Sequence, residues 1–196
     1  MSMPAIRKHH WTLVDVERLM DARDGFTPRY ELVDGELLVT PAPSGRHQRI
    51  VGHLFLLLHA YVARNGLGEV RLGPGEVKLA PESRFEPDVF VIPAVGGRLP
   101  RANDPVTRVL LAAEVLSPSS SRHDRITKRR FFQRHDLPEY WVVDGEAEAF
   151  EIWHPGDERA ALVDDPFSWL PEGAREPFSL DVKQFFEDVR DADDPA

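Results

Sequence analysis

Apolar residues recur along this chain with two different periods, and the switch between them delimits the predicted elements. From Ile50 to Tyr61 the apolar positions follow helical spacing. Ser44 precedes this stretch as a candidate N-cap, and Asn65-Gly66 follows it as a stop signal. The pattern therefore predicts a helix from Ser44 to about Arg64.

Shorter runs with strand character flank Asp34-Gly35, a dipeptide typical of a two-residue hairpin turn. With that turn, Val33 lies opposite Glu36 and Glu31 lies opposite Leu38. Because side chains alternate between faces along a strand, Glu31 and Glu36 are expected on the same face. On a surface hairpin, that face is the exposed polar one.

The remaining elements follow from the same two periods and from turn signals between them. Thr12 and Asp15 fit a capping box that starts a short helix ending near Asp21. The order of elements predicts one α/β domain with an antiparallel-leaning sheet and a crossover helix. After the hairpin and the long helix, the predictions are strands at 69–72, 75–80, 87–92 and 109–116, a loop at 93–108, a helix at about 122–135, strands at 140–143 and 149–153, and a short helix near 181–189.

One carboxylate interrupts an otherwise apolar run. Residues 109–116 are apolar except for Glu114, and Ser117-Pro118-Ser119 ends the run. Such a run is typical of a strand buried on both faces, where a lone charge costs several kcal/mol unless it is paired or binds a metal. Glu114 is therefore either a metal ligand or the partner of an arginine in a buried ion pair.

A second carboxylate, Asp88, stands at the head of a similar apolar run. Alone, Asp88 is equally well explained as a residue that caps a turn after Pro87. If its strand neighbours that of Glu114, however, the two acids can share an ion at the strand ends, where ligands bind in open α/β sheets. Hard oxygen ligands in a chain without cysteine favour Mg²⁺ or Mn²⁺.

Composition limits the classes of protein that remain. The 196 residues are 42% hydrophobic and 29% charged, which is ordinary for a soluble globular domain with a full core. The absence of cysteine excludes disulfides and thiol catalysis. No apolar stretch approaches the roughly 20 residues that span a bilayer, and the N-terminus lacks a signal-peptide core, so we expect no membrane partner and a cytoplasmic protein.

Charge is unevenly distributed around the net value of −9. A basic run lies between Arg122 and His135, whereas an acidic tail at about 187–196 ends the predicted domain and could be disordered. Within the basic run, Ser121 and Asp124 fit a capping box. Lys128 shares a helical face with Asp124. It is either a solvated member of a basic face or a lysine that orients water or neutralises phosphate charge at a metal site.

In their order and spacing, several motifs resemble the bacterial Uma-two family of endonucleases, within the PD-(D/E)XK nuclease superfamily. The resemblance extends from about Trp11 to Trp153. The motifs are Tyr30-Glu31-Leu32-Val33-Asp34-Gly35-Glu36-Leu37, Pro41-Ala42-Pro43-Ser44, His47-Gln48, Glu86-Pro87-Asp88, Glu114-Val115-Leu116-Ser117-Pro118-Ser119, Asp124, Lys128 and Pro138-Glu139-Tyr140-Trp141-Val142-Val143-Asp144.

The resemblance implies a restriction-endonuclease-like fold, with a central mixed β-sheet flanked by helices, and a metal-dependent site. Asp88, Glu114 and the backbone carbonyl of Val115 would hold Mg²⁺ or Mn²⁺. The superfamily places its lysine where this chain has Leu116, so Lys128 from the next helix would replace it as the catalytic amine. A second departure is Phe132, where relatives often carry tyrosine.

Other residues receive weaker roles from the same resemblance. Glu31 and Glu36 match family positions in the hairpin, where an acid can reach the metal or its water. His47 is either near the site or on the surface of the long helix, whereas Glu86 is expected to face solvent. The residues expected to contact DNA phosphates are Arg125, Arg129 and Arg130.

These observations lead to one main hypothesis, a Mg²⁺-dependent endodeoxyribonuclease that acts on DNA. An alternative is a catalytically inactive module that binds nucleic acid or protein on the same fold, which the displaced lysine and the negative charge favour. A third is a structural homodimer that buries the apolar strand 140–143 against its partner.

Overall fold

The computed structural model describes residues 9–25, 27–99, 101 and 104–190. The helices are α1 (Leu13–Asp21), α2 (Gly45–Asn65), α3 (Arg129–Arg134), which directly continues a π-helical segment (His123–Lys128), and α4 (Val182–Asp188). The strands are β1 (Arg29–Val33), β2 (Glu36–Thr40), β3 (Gly68–Leu72), β4 (Val89–Pro93), β5 (Leu111–Val115), β6 (Tyr140–Asp144), β7 (Ala149–Trp153), β8 (Ala161–Val163), β9 (Phe167–Trp169) and β10 (Phe178–Leu180).

Among the described residues, six strands form a mixed sheet in the order β3-β4-β5-β6-β7-β8. β5 and β6 are parallel, and the other neighbouring pairs are antiparallel. A parallel pair needs a crossover connection, and here the π-helical segment and α3 provide it. The predicted fold class, a central mixed sheet flanked by helices, is confirmed.

Each face of the sheet is covered, because alternate residues of the central strands enter two separate apolar clusters. Leu54 and Leu58 of α2 pack in one cluster with Trp141 of β6. Phe131 and Phe132 of α3 pack in the other cluster with β4, β6 and the β1–β2 hairpin. A polar side chain that alternates into the second layer is therefore enclosed between the sheet, α3 and the hairpin.

The local predictions that depend on capping and turn chemistry are confirmed. Thr12 and Asp15 exchange both hydrogen bonds of the capping box. Ser44 caps α2, and Gly66 ends it in the left-handed conformation. The hairpin has the predicted register, with Val33 opposite Glu36.

Other predictions are corrected. The strand predicted at 75–80 is wrong: Val77 makes only isolated bridges, to Phe85 and Val106, and no regular strand forms there. The capping box of Ser121 and Asp124 is also wrong, because the Ser121 hydroxyl accepts a hydrogen bond from Arg125 instead. The helix predicted at about 122–135 is confirmed, although its first part, His123–Lys128, is π-helical, and β8 to β10 had no counterpart among the predictions.

The strand predicted as a dimer surface is an interior strand. β6 lies between β5 and β7, and residues 140–143 are almost fully buried within the chain. The prediction that this strand forms a dimer surface is therefore wrong, and a homodimer stays a prediction. None of the helices in the described ranges is long and apolar enough to cross a membrane. Residues 191–196 of the acidic tail lie outside the described residues.

Candidate active site

Asp88 and Glu114 face each other across two neighbouring strands. The register of β4 and β5 places Val89 opposite Ala113, and its continuation brings Asp88 beside Glu114. Both residues line a cleft of about 570 Å³ at this end of the sheet. The walls of the cleft include residues 40–44 and 116–121, together with the start of α2 and the turn after β6. The two acids that the sequence singled out thus meet at one site.

The Asp88 carboxylate is held from three directions. Its Oδ2 accepts a hydrogen bond from the Val115 backbone N–H at 3.0 Å and lies 3.0 Å from His47 Nε2. Its Oδ1 accepts a hydrogen bond from Arg29 Nη1 at 2.9 Å. Because these partners come from other elements, the prediction that Asp88 caps a local turn is wrong.

These contacts decide the charge of Asp88. Burial would raise its pKa, but the hydrogen bond and charge of His47, followed by Arg29 and the Val115 N–H, lower the pKa of Asp88 to about 2. The same arrangement keeps Arg29 charged: burial opposes the charge, but Asp88, Glu114 and Glu31 raise the pKa of Arg29 above its ordinary value. Asp88 is therefore an anion at neutral pH, with a cation beside it.

Lys128 reaches back to Glu114 from the crossover helix. Its Nζ donates a hydrogen bond to Glu114 Oε1 at 2.8 Å, and both residues are only 2% exposed. The reading of Lys128 as a solvated residue is therefore wrong, and so is an arginine as the ion-pair partner of Glu114. The chain has Leu116 two residues after Glu114, and the amine beside Glu114 comes instead from the crossover helix.

Two more acids surround the same ammonium. Lys128 Nζ lies 2.8 Å from Glu31 Oε2 and 3.2 Å from Asp124 Oδ1. Those two oxygens make no hydrogen bond with good geometry, so only the contact to Glu114 is a hydrogen bond. With three carboxylates within 3.2 Å, the ammonium is enclosed by acids, and a water or a phosphate oxygen in the cleft would have to replace one of them as its partner.

The cluster carries more negative than positive charge near Glu114. Burial raises the pKa of Glu114; Lys128 opposes that rise, whereas Asp88, Asp124 and Glu31 add to it. Burial would lower the pKa of Lys128, but Glu114, Glu31 and Asp124 hold it well above its ordinary value. The lysine stays charged, and the acids around it would be stabilised by an additional cation.

A widened helical turn positions Asp124 and Lys128. Residues His123–Lys128 form a π-helical segment, and the Arg129 N–H reaches back to the Asp124 carbonyl. The same carbonyl accepts a hydrogen bond from the Tyr140 hydroxyl at 3.0 Å. π-helical turns inside α-helices often occur at functional sites. Here the turn directs the two charged side chains at the buried acids.

The β1–β2 hairpin contributes Glu31 to the acidic cluster around Lys128, but Glu36 is not part of that cluster. Glu31 is fully buried, and its Oε1 accepts a hydrogen bond from the Glu86 backbone N–H at 2.8 Å. An exposed polar face is therefore the wrong reading for Glu31. Glu36 lies on the same face, as the register predicts, but it is exposed and does not line the cleft.

His47 lies in the first turn of α2 and is only 8% exposed. Its contact with Asp88 contradicts the reading of a helix-surface histidine, and its Nδ1 has no hydrogen-bond partner among the described residues. Glu86, expected in solvent, is 2% exposed and pairs with Arg84. The burial of His47 and of Glu86 cannot be predicted from the local spacing of apolar residues, because it depends on how separate elements pack.

Arg29 is the site residue that sequence reasoning missed. It lies at the start of β1, two positions before Glu31, and therefore on the same face of the hairpin. That alternation, together with the resemblance of the hairpin to a site element, was the available signal. A basic residue at a strand end is common enough that this signal is weak by itself.

The three arginines assigned to phosphates occupy different surroundings. Arg125 lines the cleft and pairs with Asp144 and with Glu151. Arg129 lies over the Trp153 ring at 4.5 Å and is outside the cleft lining. Arg130 is exposed and is also outside it. Of the three, only Arg125 is in position to meet a ligand bound in the cleft.

The donors in the cleft fit a hard divalent cation in their chemistry. Within the part of the chain that the structure describes, no group of three or more histidine and acidic side chains is arranged so that it could hold a metal ion. Mg²⁺, however, commonly uses one or two carboxylates and keeps several waters. Asp88 and Glu114 can provide the carboxylates, and the excess of acids near Glu114 favours a cation.

Comparisons with known proteins show the family to which the chain belongs. Residues 15–182 match the Uma2 family model, described as "Putative restriction endonuclease". A solved structure described as a putative nuclease belonging to DUF820 from Anabaena variabilis ATCC 29413 matches with a TM-score of 0.70 and 17% identity, covering 89% of this chain and 98% of that one. At that identity the likeness establishes the fold alone. No curated protein matches this chain.

Proposed function

We propose that this chain, which belongs to the Uma2 family of restriction-endonuclease-like proteins, is a metal-dependent endonuclease that hydrolyses phosphodiester bonds in DNA. The observation that carries the proposal is the hydrogen bond from buried Lys128 to Glu114, beside Asp88, on the floor of an open cleft. The amine that is absent at Leu116 is thereby present in space. Two acids and an amine form the constellation expected of a PD-(D/E)XK site.

Asp88, Glu114 and the backbone carbonyl of Val115 would hold Mg²⁺ or Mn²⁺. When bound, such an ion supplies a water of lowered pKa and offsets the negative charge that develops on a phosphate during hydrolysis. The Val115 N–H and His47 hold Asp88 in a fixed orientation. Lys128 holds Glu114 in the same way.

Lys128 is proposed to touch the reacting groups directly. Its ammonium lies within 3.2 Å of three carboxylates and the residue lines the cleft, so a reacting group would replace one of these acids as a partner of the ammonium. A donor at this position orients an attacking water or stabilises negative charge on a phosphate oxygen. Since the lysine is buried among acids, it remains protonated and acts as a donor rather than as a base.

Phosphate contacts outside the reacting centre are proposed for Arg125, Arg129 and Arg130. Arg125 lies at the rim of the cleft, 37% exposed, and can exchange its carboxylate partners for phosphate oxygens. Exposed Arg130 and partly exposed Arg129 continue the basic face of the crossover helix. Binding through such contacts weakens as salt concentration rises.

A second candidate function is a nucleic-acid-binding module without catalysis. The observation that favours it is that both oxygens of Asp88 already accept hydrogen bonds from protein groups, including the cation Arg29. If the charge of Arg29 keeps a divalent cation away from Asp88 under all conditions, the site binds no metal. Binding would then be independent of divalent cations.

The test is a plasmid assay that follows the conversion of supercoiled DNA to nicked and linear forms. With Mg²⁺ or Mn²⁺ the wild-type protein is expected to cut, and with EDTA it is not. Asp88→Asn and Glu114→Gln are expected to lose activity by at least about 100-fold. Glu172→Gln removes an equivalent charge from a residue 81% exposed and away from the cleft, and is expected to cut like the wild type.

Two results of this assay would decide against catalysis at this site. Undiminished cutting by Asp88→Asn and by Glu114→Gln, each shown to be folded, would place the activity elsewhere. DNA binding without any cutting, and unaffected by EDTA, would favour the binding module instead.

A further inference from the structure

The carboxylate of Asp88 has little acceptor capacity left. A carboxylate offers roughly four lone-pair sites on its two oxygens. The Val115 N–H and His47 Nε2 occupy Oδ2, and Arg29 Nη1 occupies one side of Oδ1. The remaining site is on Oδ1, beside the guanidinium. A divalent cation that binds Asp88 therefore shares this oxygen with Arg29.

Two positive charges on one oxygen repel each other, and the low exposure of both residues leaves this repulsion weakly screened. The Arg29 side chain is 14% exposed and that of Asp88 is 5% exposed. Repulsion between charges in such a site is stronger than at a surface. In the protein without nucleic acid, Arg29 is therefore expected to weaken the binding of a cation to Asp88.

Part of the Arg29 guanidinium is available to a ligand. Within the described part of the chain, Nη1 donates hydrogen bonds to Asp88 and to the Glu86 carbonyl, the latter at 3.1 Å. Nε and Nη2 remain, and the residue lines the cleft. The fork of N–H groups on arginine matches the oxygens of a phosphate. A backbone phosphate of DNA can bind to this free edge while Nη1 stays on Asp88.

We propose that Arg29 couples metal binding to DNA binding. Its charge keeps a divalent cation weakly bound at Asp88 until a DNA phosphate offsets that charge. The inference rests on the proposed function and deepens it. It assigns Arg29 as the residue through which bound DNA strengthens the binding of the cation to Asp88. Since coupling between two ligands is reciprocal, the cation must also strengthen DNA binding by the same factor.

The competing explanation is a structural one, in which Arg29 only neutralises Asp88 and ties β1 to β4. In that case the cation affinity of the protein would not depend on DNA through Arg29. The two explanations differ in a binding constant rather than in activity or stability. Measurements on the intact, folded protein can therefore separate them.

The experiment is a calorimetric titration with Mn²⁺, with and without a short DNA duplex that carries phosphorothioate linkages and resists cleavage. In the wild type, the duplex is expected to tighten Mn²⁺ binding by at least about tenfold. Arg29→Gln is expected to bind Mn²⁺ about tenfold more tightly than the wild type when DNA is absent, and to gain less than about twofold from the duplex. Arg108→Gln, which removes an arginine 63% exposed and far from the cleft lining, is expected to match the wild type.

Each failure has a distinct signature. Equal Mn²⁺ affinity of wild type and Arg29→Gln without DNA, with binding present in both, overturns the coupling but leaves the metal-dependent nuclease intact. Absence of Mn²⁺ binding in every protein, with or without the duplex, overturns the coupling and the proposed metal site together.

A second variant covers the case in which Arg29→Gln does not fold. Arg29→Lys keeps the positive charge but loses the fork that binds phosphate. It is expected to bind Mn²⁺ without DNA about as weakly as the wild type and to show a smaller gain with the duplex. A gain equal to that of the wild type would overturn the inference.

Discussion

Replacing Lys128 with methionine removes the one ammonium that three buried acids share. Glu114 and Glu31 lie 2.8 Å from its Nζ, and Asp124 lies 3.2 Å away. Methionine preserves most of the apolar stem, so the main loss is electrostatic. The variant therefore measures what the acids cost the fold when their cation is absent.

The expected destabilisation is large because the acids stay buried. Removing one partner of a buried ion pair costs roughly 3–5 kcal/mol. In a domain of this size each kcal/mol lowers the melting temperature by roughly 2–4 °C, which gives a loss of roughly 6–20 °C. An exposed lysine provides the contrast: Lys183→Met, at a side chain 74% exposed, is expected to change the free energy of unfolding by less than about 1 kcal/mol.

The loss is expected to depend on pH in a defined direction. The pKa of Glu114 in the folded protein is raised by burial, and removing Lys128 raises it further. A folded protein that binds more protons than its unfolded form loses stability as pH rises. Lys128→Met should therefore be more stable near pH 5 than near pH 8, relative to the wild type at each pH.

Urea unfolding of the variant and its controls at both pH values measures these differences. The double variant Glu114→Gln with Lys128→Met is expected to recover part of the loss near pH 8, because one uncompensated charge has been removed. A Lys128→Met protein that loses less than about 1 kcal/mol, or that is equally destabilised at both pH values, would refute the reasoning.

Three further predictions follow from other contacts. The pKa of Asp88 is lowered to about 2 from 3.8. The free energy of unfolding of the wild type should therefore fall by roughly 2 kcal/mol as pH drops from about 5 to 2. Urea unfolding of Asp88→Asn should lack this fall, and an equal fall in both proteins would contradict the prediction. Arg130→Gln should lower the slope of log DNA affinity against log salt by about one, measured by fluorescence anisotropy, with Arg108→Gln unchanged; an unaltered slope would remove Arg130 from the interface. Thr12→Ala should cost about 1 kcal/mol in urea unfolding through loss of the α1 cap, whereas exposed Thr107→Ala should cost little, and equal effects would discount the cap.

Local chemistry explains which parts of the fold were predictable from the sequence. The hairpin at Asp34-Gly35 and the cap at Ser44 depend on residues a few positions apart, so the local amino-acid sequence is sufficient to predict them. The burial of Glu114 was equally accessible, because its neighbours in the chain are apolar throughout. The strand predicted at 75–80 failed for the opposite reason, since Val77 meets its partners, Phe85 and Val106, only through isolated bridges.

The site was less predictable, because it is assembled from five separate parts of the chain: β1, α2, the residue before β4, β5 and the π-helical segment. Glu31 is buried only because the hairpin packs against the segment before β4, where Leu32 pairs with Arg84. Lys128 reaches Glu114 through a π-helical segment, which has no recognisable pattern in the sequence. Arg29 meets Asp88 across 59 positions of the chain. Contacts of this kind depend on tertiary packing rather than on the local period.

The central claim is that Asp88 and Glu114 bind a catalytic cation beside a DNA phosphate. The most direct measurement is anomalous scattering from Mn²⁺ in crystals of the protein with a phosphorothioate-substituted DNA duplex. We expect one Mn²⁺ bound to both carboxylates, with a DNA phosphate contacting Arg29 and Lys128. A Mn²⁺ ion bound elsewhere, or DNA bound away from the cleft while Arg29 and Lys128 keep only their protein partners, would contradict the claim.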